Sequence, residues 1–262
     1  MEKIVISILV SLILSLFSKY KNALTDGAII VACLLSIIIT YCLGIEGFVI
    51  LLVTFLGTVL AGKILRKKRD AIVRDINQKP GKRDEIQVFA NVGIGAFSAI
   101  LFYITNDDMY FMIYACVMAS SLADCMASEI GVLSKVQPVD ICTFKRITKG
   151  ISGGVSLLGL LSSLFGSFLI GLAFFLISDF DLFALMFITA LGFVGALIDS
   201  ILGSLIQVKY KCPVCGKNTE KIVHCNSDTV YSSGIKFVNN DMVNILNNFS
   251  VFVIAIVTLS II

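Results

Sequence analysis

Residues 151–207 read ISGGVSLLGLLSSLFGSFLIGLAFFLISDFDLFALMFITALGFVGALIDSILGSLIQ, and their only ionisable side chains are Asp179, Asp181 and Asp199. Two continuous apolar stretches, 151–178 and 182–207, flank a short acidic break. A spanning helix needs about 20 apolar residues, whereas a barrel strand needs about ten in strict alternation. Stretches this long and unbroken are therefore helices. The same reading along the whole chain predicts spans at 4–18, 23–43, 47–64, 86–104, 108–133, 151–178, 182–207 and 241–262. That makes an all-α, polytopic bundle of about eight helices in a single transmembrane domain, 1–262. Composition agrees, with 57% hydrophobic and 15% charged residues, where a soluble domain carries about 25% charged. A soluble enzyme and a disordered chain are both excluded. The first stretch follows Glu2 and Lys3 and precedes no Ala-x-Ala site, so it reads as a retained span rather than a signal peptide.

Every Lys and Arg except Lys3 falls in alternate connections: 19–22, 63–85, 134–150 and 208–238. The other connections are short and carry Glu46, then Asp107 and Asp108, then Asp179 and Asp181. By the positive-inside rule the basic connections face the cytoplasm and both termini lie outside. There is no Trp, and Tyr20, Tyr41, Tyr103, Tyr110 and Tyr210 fall near span ends as the interfacial belt.

Ionisable groups within spans are expensive and mark function. Asp26, Asp124, Glu129, Asp199 and Asp241 all lie toward the basic side. A one-sided carboxylate cluster beneath basic loops suits a magnesium ion bridging a polyphosphate, the carboxylates holding metal and Lys or Arg holding phosphate oxygens. Helix capping is the plainer explanation for Asp26. Polar stripes on four spans point the same way: Ser120, Asp124 and Ser128; Gln87 and Asn91; Asp241, Asn244 and Asn248; and Asp199 beside Gly195 and Gly203. Small residues let helices approach closely, so Asp199 should face a neighbouring helix.

Two basic stretches lead into spans. One is Lys82-Arg83-Asp84-Glu85 before Gln87 and Asn91. The other is Lys145-Arg146-Ile147-Thr148-Lys149-Gly150, followed by Ser152-Gly153-Gly154. The second resembles a glycine-rich helix start that cradles phosphate on backbone N–H groups. It is no P-loop, because the Gly-x-x-x-x-Gly-Lys-Ser/Thr pattern is absent. Between the last two spans, Cys212-x-x-Cys215-Gly216…His224-Cys225 offers four soft ligands for tetrahedral zinc in a hairpin over 208–238, with an unmetallated or redox loop as the alternative. Either reading wants a reducing compartment.

Taken in order, Gly81-Lys82-Arg83-Asp84…Gln87…Asn91, Ala123-Asp124…Ser128-Glu129…Gly131, Gly153-Gly154…Gly159, Gly192…Asp199-Ser200…Gly203…Gln207, the Cys/His hairpin and Asn240-Asp241…Asn244 resemble one family over nearly the whole chain. It is the integral membrane family that includes plant phytyl-phosphate kinase and eukaryotic transmembrane protein 19. A more distant resemblance is to dolichol and phytol kinases and the CDP-diacylglycerol synthase group, which use cytidine nucleotides and magnesium. Cys125-Met126 stand where the family usually has Thr and Trp, Val92 where it has Gly, and Asn226 where Gly is usual. The resemblance implies a membrane kinase that phosphorylates a lipid monophosphate, an isoprenyl one such as phytyl phosphate, from CTP or another nucleoside triphosphate. No nucleic-acid partner is expected. On that basis Asp124, Asp199 and Asp241 would hold magnesium, and Lys82, Arg83, Lys145, Arg146 and Lys149 would hold phosphates. Lys149 would join the two central carboxylates in catalysis, while Asn91 and Asn244 orient the phosphates. A lipid-phosphate nucleotidyltransferase and a transporter or flippase of an anionic lipid are the alternatives.

Overall fold

The structure is a computed structural model that describes residues 7–8, 11, 23–63, 66–73, 76, 82–179 and 181–261. The predicted span 4–18 lies outside the described residues, apart from Ser7, Ile8 and Ser11. The chain is a helical membrane protein. Its helices are α1 (Asp26–Lys63), α2 (Arg66–Val73), α3 (Glu85–Thr105), α4 (Met109–Gly131), α5 (Leu157–Ile177), α6 (Leu182–Leu205) and α7 (Asn240–Leu259). All but α2 are long and apolar enough to cross a membrane.

At 38 residues α1 would measure roughly 57 Å if straight, nearly twice the hydrocarbon thickness. It does not run straight, because Gly44 sits at φ 74°, ψ −161°. The first arm runs parallel to α3: a Cβ on Gly27 would meet Glu85, and the Tyr41 and Tyr103 hydroxyls lie 3.3 Å apart. The second arm runs parallel to α4: Tyr114 donates to the Gly47 carbonyl at 2.8 Å, and Gly57 packs on Leu122. Because α3 and α4 are antiparallel, the chain reverses at Gly44. The two predicted spans 23–43 and 47–64 thus form one helical hairpin without a loop.

α4 is the centre of the bundle and packs on α1, α3, α5, α6 and α7. From Ile113 to Ala123 every residue is buried, which is the mark of a helix surrounded by others. The helix starts are capped in sequence-legible ways. Asp84 and Gln87 form a reciprocal capping box on α3, and Ser156, Asp181 and Asn239 cap α5, α6 and α7.

The predicted span 151–178 begins too early. Gly150 and Gly153 adopt φ +90° and +89°, Gly154–Val155 forms β2, and α5 starts only at Leu157. β2 pairs antiparallel with β1 (Val139–Asp140). The segment between α6 and α7 folds as a small sheet of β4 (Asn218–Thr219), β3 (Lys209–Lys211) and β7 (Val230–Ser233), plus a tight hairpin of β5 (Val223–His224) and β6 (Ser227–Asp228).

Candidate functional site

Four helices bring polar side chains to the end of the bundle where the long connections lie. Together they line a cavity of about 660 Å³. Asp124, Ser128 and Glu129 come from α4, Asp199 and Ser200 from α6, Gln87 and Asn91 from α3, and Asp241 and Asn244 from α7. Lys82 and Arg83 enter from the segment before α3, and Lys149 from the loop 132–156.

The pairing of Asp124 with Asp199 follows from small residues one turn earlier. A Cβ on Gly195 would stand 2.2 Å from Ser120 Oγ, so the α6 backbone lies directly against the Ser120 side chain of α4 there. These two helices run parallel, and the next turn sets Asp124 and Asp199 opposite each other. The two carboxylates are near enough to act on each other's charge, and the Arg83 guanidinium is near enough to act on that of Asp124. Asp199 Oδ2 is buried and makes no hydrogen bond. Both residues sit about two turns inside their helix ends, roughly 10 Å at 1.5 Å per residue.

Arg83 is held on both sides. Its backbone bridges the start of α1 through Thr25 N–H to Arg83 O at 3.0 Å and Arg83 N–H to Ala23 O at 3.1 Å. Its guanidinium donates to Cys125 Sγ at 2.9 Å. Lys149 donates to the Ser134 carbonyl. Asn91 donates to the Gln87 carbonyl at 2.8 Å, and Gln87 itself completes the capping box. Asn248 serves as a tie between helices, donating to Ala90 O at 2.9 Å. Asp26 is exposed at the start of α1 and lines no part of the cavity.

Lys145 and Arg146 do not join the site. Asp140 closes a turn over them, accepting from Cys142 N–H, Thr143 N–H and Thr143 Oγ1, while its own N–H donates to Lys145 O. Arg146 pairs with Val139 through its backbone, and both basic side chains are exposed away from the cavity lining. Burial tends to raise the Asp140 carboxyl, but hydrogen bonds from Thr143, Ser204 and Cys142 outweigh it and hold the group below its ordinary value. The glycine-rich segment is a turn and a strand rather than a helix start, so no N-terminal phosphate cradle forms there.

Two cavity residues escaped the sequence reading. Arg69 of α2 pairs with Glu129 and with Asp70. Glu220, after β4, is buried beside Asp199, and burial pushes its carboxyl up. The only signal for Glu220 in the sequence is a lone acid between Lys217 and Lys221.

In the hairpin, Cys212, Cys215, His224 and Cys225 present ligand atoms within 4.8 Å of one another. Gly216 N–H donates to Cys212 O at 2.9 Å, closing the Cys-x-x-Cys turn. Cys225 and Asn226 both adopt positive φ, 53° and 56°, as a two-residue hairpin turn demands. Asn is among the non-glycine residues that tolerate this conformation best, which suits Asn226 to the turn. The Cys215 backbone N–H draws the Cys212 thiol down to about 6, while partial desolvation and the neighbouring Cys215 and Cys212 thiols lift the exposed Cys225 to about 11. Three sulfurs and one imidazole at this spacing can hold a tetrahedral zinc ion.

A bundle of apolar helices whose buried carboxylates gather at one end is an integral membrane protein of the helical class. The family model for integral membrane protein DUF92 matches residues 9–252, and the chain belongs to that family. It is 30% identical over 272 residues to Protein PGR of Arabidopsis thaliana, covering 94% of this chain and 92% of that one. It is also 30% identical over 207 residues to the uncharacterized membrane protein MJ0933 of Methanocaldococcus jannaschii, covering 79% and 84% of the two chains. No solved structure matches.

Proposed function

We propose that the chain is a membrane-embedded phosphotransferase that passes a phosphoryl group from a nucleoside triphosphate such as CTP to a lipid monophosphate, an isoprenyl phosphate such as phytyl phosphate first among them. The supporting observation is the facing pair Asp124 and Asp199, in one cavity with Lys82, Arg83 and Lys149. The donor set fits magnesium, a hard cation that takes carboxylate oxygens. The partnerless Asp199 Oδ2 supports this, since a buried polar atom without a hydrogen bond is costly. Asp124, Asp199 and Asp241 would hold the ion, which when bound neutralises charge on nucleotide phosphates. Lys82, Arg83 and Lys149 bind phosphate oxygens, Lys149 by leaving the Ser134 carbonyl. The Asn91 and Asn244 side chains orient the two phosphates. The acceptor is already ionised at neutral pH, since the second pKa of a phosphate monoester is about 6, so no general base is required. Apolar Leu35, Leu51 and Phe55 also line the cavity and suit the lipid chain.

Purified protein with labelled CTP or ATP, magnesium and a panel of prenyl phosphates tests this reading. A labelled lipid diphosphate is the expected product. No product with any acceptor would sink it, and nucleotide-independent movement of lipid would indicate a transporter.

The site is oriented to the cytoplasm on this reading, because the basic connections surround it. Lys68 is exposed on α2. A cysteine at that position should react with an impermeant reagent only after cells are opened. Labelling in intact cells would reverse the orientation and remove nucleotide access.

The hairpin would hold one structural zinc ion through Cys212, Cys215, His224 and Cys225. Elemental analysis should find about one zinc per chain, in line with a closed four-ligand site, and less in Cys212→Ser. Metal-free protein of undiminished thermal stability would overturn the zinc site.

A further inference from the structure

Glu220 belongs to the hairpin yet lines the cavity, and it is only 7% exposed. Its Oε1 accepts from Ser152 N–H at 3.0 Å and from Ser152 Oγ at 2.6 Å. Its own N–H donates to Ile76 O at 3.1 Å, so its backbone is fixed from a third segment of the chain. Ser152 sits in the turn 149–154, which begins with Lys149 and carries the two left-handed glycines Gly150 and Gly153. Glycine surrenders more backbone freedom on ordering than any other residue, so such a turn needs outside ties to stay put. The hairpin's strands are two to four residues long, so backbone pairing alone gives it little independent stability. The Cys/His cluster draws its two ends together, with Cys215 and His224 flanking Glu220 five and four residues away in sequence.

We propose that Glu220 is a positioning residue, a latch through which the folded Cys/His hairpin holds the turn 149–154, and with it Lys149, in the cavity wall. The state of the cluster is thereby transmitted to the cavity by one side chain. This goes beyond phosphoryl transfer and stands whatever chemistry the cavity performs.

Hydrogen-exchange mass spectrometry on the full-length protein tests the latch without an activity assay. Glu220→Ala should speed exchange across 149–154 about tenfold, the scale of losing a hydrogen bond to a charged group. Glu220→Gln keeps one oxygen for Ser152 and should fall between. Cys215→Ser, at an exposed cluster position, should loosen both the hairpin and the turn. The double variant Glu220→Ala/Cys215→Ser should add nothing further at the turn, since both changes break one connection. If Glu220→Ala does not fold, Ser152→Ala removes the hydroxyl bond from the other side and should shift exchange in the same direction, by less. A Cys215→Ser protein whose hairpin loosens while 149–154 exchanges at the parent rate would overturn the latch. Additive effects at the turn would overturn it as well. Absence of a transfer product in the nucleotide assay bears on the phosphotransferase reading alone.

Discussion

Asp124→Asn and Asp199→Asn are each expected to lower nucleotide-dependent turnover by about 100-fold or more, the usual scale for losing one electrostatic stabiliser. The amide keeps the shape of the side chain and removes the charge. The two carboxylates face each other across the α4–α6 contact, so on the proposed function each would lose its partner in holding a shared cation when the other is neutralised. Folding should survive both changes, because a neutral amide is easier to bury than a carboxylate. Magnesium titration of the variants should show a higher requirement for the ion. Near-parental turnover by a well-folded Asp124→Asn protein would remove that residue from the site.

Gly153→Ala is expected to destabilise the protein by about 2–5 kcal/mol, a left-handed-backbone penalty plus overpacking. Gly153 has φ +89°, and a Cβ there would lie 2.7 Å from Ser204 Cα. The obstacle is backbone, so no side-chain rotation relieves it. Gly203 approaches from the other side, where a Cβ would stand 3.1 Å from Gly153 N. The control is Gly216→Ala, at φ +70° with nothing within 4 Å of the added atom, where only the backbone penalty of about 1–2 kcal/mol applies. Thermal unfolding in detergent should rank the two clearly. Equal losses would mean that the α6–turn contact contributes little.

The spans were legible because hydrocarbon thickness imposes a length that apolar runs must meet. The site carboxylates were legible for the same reason: Asp124 and Asp199 stand out only against a membrane background. The reversal was legible too, since the break between spans 23–43 and 47–64 falls at Gly44 beside Glu46; what periodicity could not reveal is that the turn takes no loop. Lys145 and Arg146 were misplaced because a basic stretch before glycines resembles a phosphate cradle. Asp140, several residues upstream, turns that stretch away through local hydrogen bonds. Gln87, read as polar chemistry within the membrane, serves the capping box of α3. Glu220 was missed because a single acid in a lysine-bearing hairpin looks solvated, and only tertiary docking onto Ser152 buries it.

The loop-free reversal at Gly44 also bears on how the chain enters the bilayer. With no residues to spare between its arms, α1 is expected to insert as a pair of helices rather than one after the other. The tip carries one exposed acidic residue, Glu46, between Ile45 and Gly47. On the proposed orientation, carrying that carboxylate through the hydrocarbon costs about 3 kcal/mol on an insertion scale, against two arms rich in Leu, Ile and Val that each favour the bilayer. The other two translocated connections, 106–108 and 178–181, add only Asp107, Asp108, Asp179 and Asp181. On that orientation no Lys or Arg of the described residues would have to cross, and Lys3 is the one basic residue of the chain expected on the far side.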